Sequence, residues 1–162
     1  MISIYMAGKI KKNCWRHQLV PGLRNHTYSD GPIKCSGFTY VGPFFTGCDH
    51  GCFHGENTHG VFGSLICEGA QLSRTQVIRR SHRCIAASDL VICYINSPDC
   101  YGTIAEIQYA VSEKKEVIAA FAPGIASSQS NDFWFVSEQC HKTVFHVDET
   151  QLGALLKSVL GA

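Results

Sequence analysis

The 162 residues suffice for one domain with a sizeable core and are too few for two ordinary ones. With 45% hydrophobic and 17% charged residues, the chain is neither a disordered tail nor an acidic scaffold. Fourteen basic against thirteen acidic side chains leave a net charge of +1, which argues against charge-driven nucleic-acid binding and against a polybasic membrane anchor.

Ile2–Ala7 is a strand-like apolar run ended by Gly8, and Lys12–Arg24 follows as a helix with Trp15, Leu19 and Leu23 on one face, weakened by Pro21. Phe38–Val41 is a second strand, followed by a long Gly-rich loop from Gly42 to about Gly63. Ala70–Ala87 reads as a helix, Leu90–Ile95 as a strand, Tyr101–Lys115 as a helix and Glu116–Phe121 as a strand. A polar loop over Ala122–Asn131, a short helix around Phe133–His141, a strand Thr143–Val147 and a helix from Glu149 complete the chain.

Alternation of strands with helices implies parallel strands joined by right-handed crossovers. Leu90–Ile95 and Val117–Phe121 are almost wholly apolar, as strands covered on both faces must be. The expected fold is a single α/β domain over residues 1–162: a doubly wound, five-stranded parallel sheet in the order 2-1-3-4-5 with helices on both faces. No apolar run approaches the roughly 20 residues of a membrane span. The first apolar run precedes its lysines, the reverse of an export signal. Nine cysteines, scattered through strands and helices, read as reduced thiols in a cytoplasmic protein.

Ligands of such sheets bind beyond the carboxyl ends of the strands, where the strand order reverses. That directs attention to Gly8–Asn13, Asn96–Gly102 and the loop after the second strand. In Ser97-Pro98-Asp99-Cys100-Tyr101-Gly102-Thr103-Ile104-Ala105-Glu106 the chain leaves the third strand and enters a helix, with Glu106 expected in its first turn. Thr103-x-x-Glu106 fits a capping box. A carboxylate at the crevice can instead attack an electrophilic carbon of a bound ligand. Asp99 is either a turn residue after Pro98 or a hydrogen-bonding partner for that ligand. Asp89, at the other end of its strand, is too far away, about 20 Å at 3.3 Å per residue, and orders the strand start.

Ile4-Tyr5-Met6-Ala7-Gly8, Ser88-Asp89-Leu90-Val91-Ile92 and Tyr101-Gly102-Thr103-Ile104-Ala105-Glu106-Ile107-Gln108-Tyr109-Ala110 together resemble the nucleoside 2-deoxyribosyltransferase superfamily, which includes nucleoside 5′-monophosphate N-glycosidases. The resemblance covers under a third of the chain. It implies that Glu106 is the nucleophile at the anomeric carbon of a nucleoside or nucleotide, with Tyr5 beside it. It implies a homo-oligomer whose neighbouring subunit completes the pocket, for which Asn131-Asp132-Phe133-Trp134-Phe135 is the candidate interface.

A lone carboxylate suits this chemistry, because it stabilises and can trap the cationic anomeric carbon, and no cofactor is called for. Gly8, Lys9, Lys11 and Arg16, with Gly102 and Thr103 at the helix start, are candidate phosphate ligands. Cys100 stands where the monophosphate enzymes tend to place a serine. Deoxyribosyltransferases carry a base-reading carboxylate on the helix before the third strand. Here that stretch, Arg79-Arg80-Ser81-His82-Arg83-Cys84, has none, so the long loop is the expected supplier. Phe44 and Phe45 can stack on a base there, and Asp49, His50 and Asn57 can hydrogen-bond its edge. Cys48, Cys52, His54 and His59 are metal-type side chains, but their spacing fits no standard zinc set and no metal is expected. An NAD-type glycohydrolase and a non-catalytic nucleotide sensor are the alternative readings.

Overall fold

The structure, a computed structural model, describes residues 1–10, 14–23, 26, 28–44, 73–128 and 132–161. Six strands form one sheet: β1 (Ile2–Gly8), β2 (Ile33–Lys34), β3 (Phe38–Gly42), β4 (Leu90–Ile95), β5 (Glu116–Phe121) and β6 (Lys142–Val144). The order is β2-β3-β1-β4-β5-β6. The five expected strands are there, parallel and in the expected order. The sixth, β2, is a two-residue ribbon antiparallel to β3, pairing Ile33 with Tyr40 and Lys34 with Thr39. It is too short to show any periodicity in sequence, and it exists because the chain turns back at Gly37 (φ 89°).

The helices are α1 (Arg16–Leu19), α2 (Arg74–Ala86), α3 (Tyr101–Ser112), α4 (Pro123–Ser128), α5 (Trp134–Ser137) and α6 (Leu152–Leu160). Among the described residues, none is long and apolar enough to cross a membrane. α2 and α3 pack together, with His82 stacked on Tyr109 at 3.8 Å. Gly153 of α6 sits against Leu19 of α1, where an added Cβ would lie 3.2 Å from the leucine.

Several boundaries differ from expectation, four of them for a plain local reason. α1 is one short turn, because Pro21 and Gly22 (φ 79°) stop it. α2 starts after Ser73, which accepts from the Gln76 N–H while Gln76 accepts from the Ser73 N–H, a complete capping box. The expected loop 122–131 contains α4, with Pro123 at its first position, where a missing N–H costs nothing. β6 ends at Val144, before His146 turns with φ 59°.

β1, β4 and β5 form the middle of the core. All six residues of β4 and five of six in β5 are buried. Asp89 orders the strand start as expected: its Oδ2 accepts from both the N–H and the hydroxyl of Ser3 at 2.7 Å, tying β4 to β1 at the end remote from the crevice.

Candidate functional site

Glu106 is the sixth residue of α3, one turn deeper than expected. The helix begins at Tyr101 with Cys100 as its N-cap, and no side chain caps it. Thr103 is therefore inside the first turn and buried, so the Thr103–Glu106 capping box does not form. The Glu106 carboxylate turns to the sheet instead. The phenol of Tyr5, fully buried on β1, donates to its Oε1 at 2.5 Å. These residues are 101 apart in sequence and meet because α3 packs over β1.

Glu106 is half-buried, and burial raises its pKa above the ordinary carboxylate value. The hydrogen bond from Tyr5 and the positive charge of Arg16 work in the opposite direction. Tyr5 is held well above the ordinary phenol value by burial first and then by the Glu106 charge, while a hydrogen bond with the Ser81 hydroxyl opposes the rise. Tyr5 is thus a neutral donor at any working pH, and Glu106 is its acceptor.

Gly8 ends β1 with φ 151°, and an added Cβ would lie 3.0 Å from Arg16 Nη2 and 3.1 Å from the Tyr94 carbonyl oxygen. Glycine is what lets the guanidinium approach. Arg16 is fully buried; its Nε donates to the Met6 carbonyl at 2.6 Å and its Nη2 to the Gly8 carbonyl at 2.7 Å. Nη1 reaches the Lys9 carbonyl at 3.4 Å and Cys14 Sγ at 3.2 Å. Burial disfavours the Cys14 thiolate, but the His17 hydrogen bond and the Arg16 charge outweigh it and bring the pKa down to about 7. Arg16 therefore ties the β1 exit together from within and presents no donor at the surface.

Lys9 leaves that exit and meets the loop after β4. Its Nζ bonds Asp99 Oδ1 at 2.6 Å and Ser97 Oγ at 3.3 Å, and Ser97 Oγ also donates to Asp99. The pair is exposed, at 38% and 58%, and it bridges the two strand exits where the sheet order reverses. The Lys9 hydrogen bond, then that of Ser97, holds the Asp99 carboxyl down at about 2. Gly102, exposed in the first turn of α3, faces open space.

Beside Tyr5 lies a small cleft of about 30 Å³, open to solvent. Ile10, Pro43 and Phe44 from the exits of β1 and β3 form one side, and Val77, Arg80, Ser81 and Cys84 of α2 the other. Phe44, expected as a base platform, is buried and pinned by Tyr40 edge-on at 5.7 Å and by His26 stacked at 5.6 Å. Lys11, Phe45, Asp49, His50 and Asn57, with the loop residues Cys48, Cys52, His54 and His59, lie outside the described residues. Ser81 and Arg80 were not singled out from sequence, where their stretch stood out only for lacking a carboxylate. The available signal was position: α2 precedes the central strand β4 and packs against α3.

No family model matches the chain, and no curated protein does. Several solved structures are similar, among them the following two. One is the CMP N-glycosidase BcmB of Clostridium botulinum, at 14% identity and a TM-score of 0.51, over 97% of this chain and 98% of that one. The other is a conserved protein of Enterococcus faecalis V583, at 15% identity and a TM-score of 0.51, over 98% and 99% of the two chains. The fold is N-glycosidase-like. At these identities the likeness extends to the fold alone.

Proposed function

We propose that the protein cleaves the N-glycosidic bond of a nucleoside or nucleoside 5′-monophosphate, with Glu106 as nucleophile. The observation that carries this reading is the 2.5 Å bond from buried Tyr5 to Glu106 Oε1, at the crevice where the sheet order reverses. The phenol occupies Oε1 and leaves Oε2 for attack. The similarity in fold to a CMP N-glycosidase and the resemblance of the Tyr5 and Glu106 segments to the deoxyribosyltransferase superfamily support the same chemistry.

In the first step a Glu106 oxygen bonds the anomeric carbon as the carbon–nitrogen bond breaks, and its electron pair leaves with the base, which takes up a proton. In the second step water or another base attacks the same carbon, loses a proton, and frees the carboxylate. Lys9, rather than buried Arg16, is the cation a 5′-phosphate would reach among the described residues. A phosphate there competes with Asp99 for the ammonium and frees that carboxylate to hydrogen-bond the sugar or the base.

Glu106→Gln is the test, on a panel of nucleosides, their 5′-monophosphates and NAD, with chromatography for free base. The amide oxygen still accepts from Tyr5, so the fold persists, while base release falls by orders of magnitude and mass spectrometry finds no glycosyl adduct. Turnover near wild type in that variant would falsify the mechanism, and release from NAD alone would move the substrate class to pyridine dinucleotides.

A further inference from the structure

Glu106 faces the seam between α2 and α3, and the two ends of that seam differ. On the sheet side Tyr5 holds Oε1. One turn further along α3, His82 of α2 stacks on Tyr109 at 3.8 Å with the rings 6° from parallel, which leaves no room between the helices there. One turn before Glu106, on the same stripe of α3 and toward the crevice mouth, stands Gly102. It is exposed, and an added Cβ would meet no described atom within 4 Å. Helical side chains lean toward the N-terminus, so Glu106 lies over the turn that Gly102 occupies. No local requirement accounts for glycine at this position. Its φ is outside the left-handed region, and in a helix only proline is a poorer choice. At Gly8, Gly42 and Gly153, by contrast, an added Cβ would be crowded at 3.0, 3.2 and 3.2 Å.

We infer that the missing side chain of Gly102 is the gap through which the sugar of the substrate reaches Glu106, and that the size of residue 102 sets this access. The inference rests on the proposed function for its choice of a sugar as occupant. Attack requires the anomeric carbon about 3–3.5 Å from a carboxylate oxygen. Tyr5 takes Oε1 from the sheet side, and the His82–Tyr109 stack closes the seam beyond Glu106. The approach to Oε2 that stays open runs over the first turn of α3, across Gly102. A side chain there would lean toward the crevice mouth and stand in that path. Gly102 therefore acts by its absence of bulk, with no effect on the charge of Glu106.

The experiment compares wild type, Gly102→Ala and Gly102→Leu in the full chain. Three quantities are read: melting temperature, kcat/KM on the panel of nucleosides and 5′-monophosphates, and the rate at which a water-soluble carbodiimide with an amine labels Glu106, located by peptide mapping. Both variants should melt at or above the wild-type temperature, since alanine and leucine are better helix formers than glycine. kcat/KM should fall about tenfold with alanine and at least about a hundredfold with leucine, for nucleosides and monophosphates alike. The acid limb of the pH profile should stay where it is, because Tyr5 and Arg16 are untouched. Labelling of Glu106 should slow in the same order. A lowered melting temperature in Gly102→Ala would make the glycine structural and overturn the inference. So would a loss confined to monophosphates, which puts the phosphate and not the sugar over residue 102, or labelling at one rate in all three proteins. Graded labelling without Glu106-dependent base release upholds the access role of Gly102 and refutes the glycosidase reading. Glu106-dependent release that leucine does not slow does the reverse.

Discussion

Replacing Tyr5 with Phe removes one oxygen and leaves the buried ring in place, so the packing of β1 against α3 is kept. What is lost is the 2.5 Å bond to Glu106. A hydrogen bond to a charged acceptor is worth about 1.5–3 kcal/mol, and each 1.4 kcal/mol is tenfold in an equilibrium. Burial already raises the Glu106 pKa, and Tyr5 and Arg16 hold that rise in check. Without Tyr5 the rise is larger, so the carboxylate is protonated at higher pH. The acid limb of the kcat profile should move up in pH, and activity on that limb should fall about ten- to hundred-fold. On the alkaline plateau the nucleophile is ionised again, and most of the loss should be recovered.

The same shift has a stability signature of defined sign. A carboxyl whose folded pKa lies above its unfolded value binds more protons in the native state within that window. Stability contributed by Glu106 is therefore greatest below the ordinary value of 4.5 and declines as pH rises through the folded value. In Tyr5→Phe the declining window extends further upward, which melting temperatures taken across pH will read directly. A uniform loss of kcat with an unmoved acid limb would show that the Tyr5 hydroxyl orients Glu106 without tuning its pKa, and no loss at all would show that Tyr5 only packs. A limb displaced to lower pH would invert the electrostatic argument.

Gly8→Ala forces a Cβ to 3.0 Å from Arg16 at φ 151°, and should cost about 1–3 kcal/mol in chemical denaturation, whereas Gly102→Ala faces open space and should be neutral to slightly stabilising. Asp99→Asn removes the competitor for Lys9, so a nucleoside monophosphate should bind more tightly while the matched nucleoside is unaffected; titration at low and high salt checks this, with the difference shrinking at high salt. Asp99, held at about 2, supports the Lys9 pair above the ordinary carboxylate range and releases it as pH falls through that value, so the monophosphate advantage of the Asn variant should hold across neutral pH. Trp134 and Phe135 are 61% and 59% exposed next to each other, and Trp134→Ser with Phe135→Ser should convert a homo-oligomer to monomers in light scattering; an already monomeric wild type removes the interface.

The strand order was legible because β1, β4 and β5 are covered on both faces over most of their length and are apolar there, a pattern that needs no partner to be seen. β2 was not, since two residues carry no period. The two capping-box patterns show the limit more sharply. Ser73–Gln76 and Thr103–Glu106 have the same spacing, yet only the first caps a helix. Ser73 precedes its helix, while α3 is already under way at Thr103, and Tyr5, distant in the chain, claims the glutamate. The resemblance of short segments pointed to Glu106 and Tyr5 together; local spacing favoured a different job for the glutamate. Arg16 illustrates the same limit with charge. Three cations after the first strand read as a phosphate site, but the space left by Gly8 and three bare carbonyls draw one of them inward.

That inward turn connects the parts of the site. A buried guanidinium is costly unless its donors are satisfied and its charge is answered. The carbonyls of Met6, Gly8 and Lys9 take the donors, Cys14 takes another at 3.2 Å, and the Trp15 ring lies 5.0 Å from the guanidinium carbon. No carboxylate among the described residues bonds it, so its field reaches Glu106 and lowers that group's pKa against the effect of burial. Had Arg16 been paired with an acid, that field would be cancelled, and the carboxylate beside Tyr5 would carry less charge at a given pH. The carbonyl ligands therefore do two things at once. They hold the β1 exit in the shape that presents Lys9 to Asp99, and they keep a positive charge, answered near neutral pH only in part by the Cys14 thiolate, within range of the residue proposed to attack.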